Sequence, residues 1–243
     1  GEIVRIAHAI IGEGLSDKVI TPGVTRTSDV VWWFRDRISQ LGLSTWFQPS
    51  VAISRRGVAD TLSGDTVIEK GDLVWTDFGI TYLRLNTDTQ QNAYVLRDGE
   101  TEAPKGLRDA LAANNRVQDA LTSSFKTGLS GNQVLATARA KAIAAGLDPS
   151  IYTHPLGYHG HAAGTAIGFW DNQNGDPRGE YPIHKDTAWS IELSATVPIP
   201  EWGGQKIALK TEEDAFFDGE RVSYIDGRQT DLYLIGGSAS GRK

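Results

Sequence analysis

The sequence predicts an α+β fold with antiparallel sheets, and three observations carry that prediction. Strand-like and helix-like segments come in runs, not in strict alternation, which argues against a parallel βαβ sheet. The order of elements, helix then strands followed by helices then strands, divides the chain into two loosely similar halves. No low-complexity tract or Pro-rich linker separates those halves, so residues 1–235 read as one domain, followed by a flexible tail, GGSASGRK, at 236–243.

Taken in order, a helical run at the N-terminus is followed by turn material, ITPGVT (20–25), and then by a helix over about 28–40. Val31, Phe34, Ile38 and Leu41 recur there at helical spacing and Gly42 supplies the stop. FQPSVAI (47–53), GDLVWTDFG (71–79) and NTDTQQNAYVL (86–96) read as strands, the last two joined by a short connection. Leu107, Leu111, Val117, Leu121 and Phe125 line one side of a helix over about 106–126, and a further helix fits 131–145, ended by Gly146. Strands return in DTAWSIELSATV (186–197), GQKIALKTEEDAFF (204–217) and RQTDLYLI (228–235).

The composition is that of a water-soluble protein, with 40% hydrophobic and 22% charged residues and a formal net charge of −6. That balance, without a basic stripe, argues against a nucleic-acid partner. No apolar run reaches membrane-spanning length, so no membrane partner is expected, and the N-terminus lacks the regions of a signal peptide. The absence of Cys excludes disulfides, thiolate ligands and a Cys nucleophile. It leaves the compartment undecided, with the cytoplasm favoured. The chain starts GEIV without Met, which suggests that something upstream was removed.

Chemistry concentrates in two places. HPLGYHGHAAGTAIG (154–168) holds three of the five histidines, His154, His159 and His161, among small residues. Carboxylates interrupt strands that are otherwise apolar. Asp77 shares a strand face with Leu73 and Trp75, Asp88 follows 11 residues later, Glu192 breaks WSIELSATV, and Glu212, Glu213 and Asp214 sit between KIALK and AFF. Singly, each has a structural reading as a turn, cap or ion-pair residue. Together, several carboxylates and a neutral imidazole make an oxygen-rich divalent-cation site suited to Mn, Fe, Co or Zn. Four carboxylates carry the charge that two divalent ions would neutralise; without metal, their repulsion would raise some of their pKa values.

These motifs resemble the pita-bread metallopeptidase family, which includes methionine aminopeptidase, aminopeptidase P, prolidase and creatinase. The family orders its ligands Asp, Asp, His, Glu, Glu. DFG supplies Asp77, TDT supplies Asp88 at the family's usual spacing, Gly160-His161-Ala-Ala-Gly164 matches its Gly-His-x-x-Gly, IEL supplies Glu192, and KTEEDAFF supplies Glu212. The likeness also covers ITPGVT with the helix after it, and comes nearest to the catalytic domain of the Xaa-Pro peptidase branch. It implies two pseudo-symmetric halves around a metal cleft holding two divalent ions, Mn above Zn, Co or Fe. It makes His161 the imidazole ligand, sets His154 and His159 outside the ligand set, and gives Glu192 a second role as proton shuttle. The expected substrate is a short peptide or small amide, cleaved at an N-terminal bond before Pro. A homodimer, and an upstream N-terminal domain missing from this chain, are compatible with the same resemblance.

The sequence also departs from the family. A substrate-contacting histidine lies seven residues beyond the metal histidine, and counted from His161 that position is Gly168. Another lies upstream of the first Asp, where this chain has GVADTLSGD (57–65), and the Arg of the last strand is Lys210. His154 and His159 are the candidates to replace the missing donors as catalytic residues, while His8 and His184 read as structural or surface residues. Three other readings compete with a dinuclear peptidase: a creatinase-like C–N hydrolase of a small non-peptide, a non-catalytic binding module of the same fold, and a mononuclear zinc set of His154, His159 and His161.

Overall fold

The computed structural model describes residues 1–161 and 163–236. The expected tail therefore lies, from residue 237 on, outside the described residues. Helix α1 (Glu2–Gly14) turns Val4, Ala7, Ile10 and Ile11 inward, and α2 (Thr27–Gln40) turns Val30, Phe34 and Ile38 the same way, each at 3.6-residue spacing. Both helices cover one face of a four-stranded sheet. Its strands are β1 (Ser50–Ser54), β2 (Leu73–Phe78), β5 (Thr89–Val95) and β13 (Tyr233–Ile235), in the spatial order β1-β2-β5-β13. Between β2 and β5 the chain makes a small hairpin, β3 (Thr81–Tyr82) with β4 (Leu85–Asn86), where a short connection was expected. Its turn residues Leu83 and Arg84 take φ of 49° and 65°, the left-handed region that a two-residue hairpin turn requires.

The second half repeats the theme. Helix α3 (Lys105–Thr122) buries Leu107, Leu111, Val117 and Leu121. Helix α4 (Gly131–Ala144) starts at a capping box, in which Ser130 Oγ accepts from the Gln133 N–H and Gln133 Oε1 accepts from the Ser130 N–H. The two helices pack against a three-stranded sheet of β6 (Pro149–Ile151), β9 (Leu193–Ile199) and β10 (Gln205–Thr211). A four-stranded sheet of β7 (His154–Leu156), β8 (Thr187–Ser190), β11 (Asp214–Phe217) and β12 (Val222–Tyr224) completes this half.

The two long strands expected at 186–197 and 204–217 each break once. The first is interrupted at residues 191–192 and the second at 212–213, which converts one long hairpin into two short ones, β8 with β11 and β9 with β10. The breaks fall on Glu192 and Glu212, and they are what turns these side chains out of the ladder. One pairing departs from the antiparallel expectation: β13 runs parallel to β5, with Tyr233 opposite Ala93.

Among the described residues no helix is long and apolar enough to cross a membrane. The first core joins Phe34, Phe78, Ile53, Val74 and Ile235, with the Phe34 and Phe78 rings 4.9 Å apart. Phe78 follows Asp77 directly, so this packing anchors the strand that presents the first site carboxylate. Phe34→Ala is expected to cost about 3–5 kcal/mol, read as a lower urea midpoint. A midpoint unchanged from the parent chain would show that the ring is not a core element.

Candidate metal centre

Backbone register assembles the site. In β2 and β5, Asp77 stands opposite Gln90, and an isolated antiparallel bridge sets Gln90 opposite Glu212. Directly opposed residues share a sheet face, so Asp77, Gln90 and Glu212 form a row across three strands. Asp88, two residues before Gln90, lies on the same face. The other half contributes a second row, His154–Ser190–Asp214, across β7, β8 and β11. Glu192 emerges at the break two residues after Ser190.

The rows meet at His154. Its Nε2 lies 3.4 Å from Glu212 Oε1, 3.6 Å from Asp88 Oδ2 and 3.9 Å from Glu192 Oε2. Its Nδ1, 3.1 Å from the Pro155 carbonyl oxygen, must be the protonated nitrogen, because that oxygen only accepts. Burial holds the imidazole pKa below the ordinary value, so at neutral pH Nε2 carries a bare lone pair. A lone pair facing three carboxylates, with no hydrogen-bond partner, is an arrangement that a cation completes. Asp77 Oδ1 and Asp214 Oδ2 are buried and unpartnered in the same way. The donor set therefore fits a divalent ion. Ligand atoms within 4.8 Å of one another form three overlapping groups: Asp77–Asp88–Glu212, His154–Glu192–Glu212 and Asp88–His154–His161.

Burial and mutual repulsion act on the carboxylates in the same direction. Burial first, and the Glu212 charge second, push Asp77, Asp88 and Glu192 well above the usual carboxylate range. Glu212 itself is raised by burial to about 7, despite bonds from Ser190 and Gln90 that favour its charged form. Asp214, which accepts from the Asp88 N–H at 3.2 Å, is also raised by burial.

The histidines are sorted differently from the sequence expectation. His154, set outside the ligand set by the motif match, is buried at the centre of the carboxylates. His161, matched to the ligand position, is exposed, its ring 4.4 Å from that of His154 and 5.4 Å from Trp46. The physical reason is strand pairing. His154 lies in β7 opposite Ser190, while His161 lies in the loop beyond it. Counted from His154, the position seven residues on, where the family has its substrate-contacting histidine, is His161 and not Gly168. Gly168 could not have supplied it, since a Cβ there would lie 2.1 Å from the Ile151 carbonyl oxygen. Burial, and the neighbouring His154, lower the His161 pKa to about 4. His159 is exposed beside Tyr158 and belongs to none of the three groups. A zinc set made of His154, His159 and His161 is therefore not what the structure brings together. His184 is exposed, and His8 is structural, its ring nitrogens 3.0 Å from Glu213 Oε2 and Asp226 Oδ2.

Three partners escaped the sequence reading. Gln90 and Ser190 both donate to Glu212, and Tyr152 stacks near both site histidines. Only Ser190 had a sequence signal, its place two residues before Glu192 in an alternating strand. A cleft of about 240 Å³ opens beside Asp77 and Glu192, walled by Trp75, Tyr152 and Trp170, with Lys210 Nζ 4.9 Å from the centre of the Trp75 ring.

Comparison with known proteins places this architecture. No curated protein sequence matches the chain significantly. Among solved structures, the X-Pro aminopeptidase from Thermotoga maritima MSB8 superposes with a TM-score of 0.71 at 16% identity, over 96% of this chain and 61% of that one. Prolidase from Pyrococcus furiosus gives 0.65 at 17% identity, over 94% and 64%. A methionine aminopeptidase from Thermotoga maritima gives 0.64 at 18% identity, over 92% and 94%. The chain thus spans about three-fifths of the length of the X-Pro aminopeptidase. These likenesses establish the pita-bread fold that the sequence implied. The family model of metallopeptidase family M24 matches residues 2–212. Because that match runs from the first helix through Glu212, over most of the chain, the chain belongs to metallopeptidase family M24.

Proposed function

We propose that this chain is the catalytic unit, residues 1–235, of a dinuclear metal-dependent exopeptidase that cleaves the N-terminal bond of short peptides, with Xaa-Pro substrates first among them. The observation that carries the reading is the bare Nε2 of His154 facing three buried carboxylates, one of which, Glu212, belongs to two ligand groups. Asp77, Asp88 and Glu212 would hold one divalent ion; Asp88, His154, Glu192 and Glu212 would hold the other. Ions bound there supply Lewis acidity, polarising a carbonyl and acidifying a water.

The protein's own groups do the rest. Glu192, raised by burial and by Glu212, is suited to take a proton at Oε2, the oxygen not already accepting from Gln90, and return it to the leaving nitrogen. His161, exposed with its ring 4.4 Å from that of His154, would hydrogen-bond the carbonyl oxygen as charge develops on it. Trp75, Tyr152 and Trp170 exclude water from one side of the bound residue. Tyr152, pushed up to about 12 by burial and by the Glu192 charge, keeps its proton and can donate it in a hydrogen bond.

Metal content per chain tests this reading, measured by mass spectrometry after loading with Mn, Zn or Co and desalting, and followed by a panel of Xaa-Pro peptides. Two ions per chain and hydrolysis of the panel are expected. A folded chain that retains none would overturn the reading in favour of metal-free C–N hydrolysis or a binding module.

A further inference from the structure

We propose that Gln90 is a positioning residue that braces Glu192 and Glu212 into their ligand geometry before any cation arrives. The inference rests on reading the site as a divalent-metal centre. Gln90 sits in the middle of the Asp77–Gln90–Glu212 row, and its backbone is tied to Glu212 in both directions. Its N–H donates to the Glu212 carbonyl at 2.9 Å, and its carbonyl accepts from the Glu212 N–H at 3.1 Å. The side chain, buried with its backbone, uses both amide hydrogens: Nε2 donates to Glu212 Oε2 at 2.6 Å and to Glu192 Oε1 at 2.8 Å. A primary amide is the neutral side chain that can serve two carboxylates from one nitrogen. It adds no charge to a site that already holds four acids.

The orientation of the amide is set from outside the cluster. Gln90 Oε1 accepts from Trp75 Nε1–H at 3.1 Å. An indole N–H only donates, so a flipped amide would set donor against donor there and oxygen against oxygen at both glutamates. Glu212 is fixed from its other side by Ser190 Oγ, which donates to Oε1. Each of its oxygens thus accepts one of these two hydrogen bonds. Glu212 and Glu192 come from the two strand breaks of the second half, whereas Gln90 comes from the first. The brace therefore couples the halves at the point where they share ligands.

Outer partners of this kind tune metal affinity about 10–100-fold. The test measures Mn²⁺ binding to the metal-free full chain by equilibrium dialysis, with folding checked by circular dichroism. Gln90→Met keeps the length and burial but removes both donors; Trp75→Phe keeps a ring but frees the amide to flip. Mn²⁺ affinity is expected to fall about 10–100-fold in Gln90→Met and by a smaller factor in Trp75→Phe, both folded. Simple packing at position 90 would leave Trp75→Phe at wild-type affinity. Should Gln90→Met not fold, Trp75→Phe decides alone. Wild-type affinity in Trp75→Phe, or in a folded Gln90→Met, overturns the brace and leaves the metal centre standing. A wild-type chain that takes up no Mn²⁺ overturns the metal reading, and the brace with it.

Discussion

Replacing His154 by alanine is expected to strip tightly held metal from the chain, whereas replacing His161 by alanine leaves metal content unchanged and slows turnover. His154 Nε2 lies within 4 Å of Asp88, Glu192 and Glu212 together, so its loss removes a candidate ligand from the centre of the cluster. Metal retained after desalting should fall from two ions to at most one. His161 is exposed, its ring 4.4 Å from that of His154, and in the proposed mechanism it stabilises developing charge without anchoring the ions. Losing a donor of that kind costs about 10²–10³-fold in turnover. Metal analysis and kcat on one Xaa-Pro peptide, measured side by side, separate the roles. The opposite pattern, metal lost with His161 and kept without His154, would restore the assignment that the Gly-His-x-x-Gly motif suggested.

The second large effect is on stability in the absence of metal. Asp77, Asp88, Glu192, Glu212 and Asp214 all have folded-state pKa values raised by burial. A raised carboxylate binds its proton more tightly when folded than when unfolded. Its contribution is most favourable below the unfolded value and is lost as pH rises through the folded one. For Glu212 that window runs from 4.5 to about 7. The Tm of metal-free protein should therefore fall as pH is raised from about 5 to 7.5, each kcal/mol being roughly 2–4 °C for a chain of this size. His8 works in the same direction. Burial lowers its pKa, but the bonds to Glu213 and Asp226 outweigh that and leave it raised. Mn²⁺ at pH 7.5 should recover the loss, since it binds the ionised site of the folded chain alone. Thermal scans in chelator and in Mn²⁺ give the slopes. A metal-free Tm that climbs over this range would mean that the carboxylates are compensated by something other than a cation.

The strand-forming segments of the second half were legible, though not their breaks; Asp77, Glu192 and Glu212 stood out because each interrupts a largely apolar strand, and Asp88 by its spacing of 11 residues from Asp77. The histidine that lies at the centre of those carboxylates was not legible. Three imidazoles within eight residues offered two phases for one motif, and Gly160-His161 fitted it more fully than Thr153-His154. The deciding signal was strand pairing, which sets His154 opposite Ser190, and no local spacing encodes that. Gln90 was invisible for a related reason. A neutral amide in NTDTQQNAYVL looks like a surface residue until register sets it between two acids. The hairpin at 81–86 gave no warning either, since Leu83 and Arg84 occupy left-handed positions that usually call for Gly or Asn.

The parallel seat of β13 beside β5 has a consequence for biosynthesis. A chain made from the N-terminus has β2, β5 and the first two acids in hand early, yet the outer flank of β5 stays open until Tyr233–Ile235 have left the ribosome. Glu192 and Glu212 also arrive late, and they enter the same sheet through the Gln90 bridge. A nascent chain is thus unable to assemble the ligand cage around a stray cation halfway through translation. The row of Asp77, Gln90 and Glu212 is completed only after most of the chain has been made.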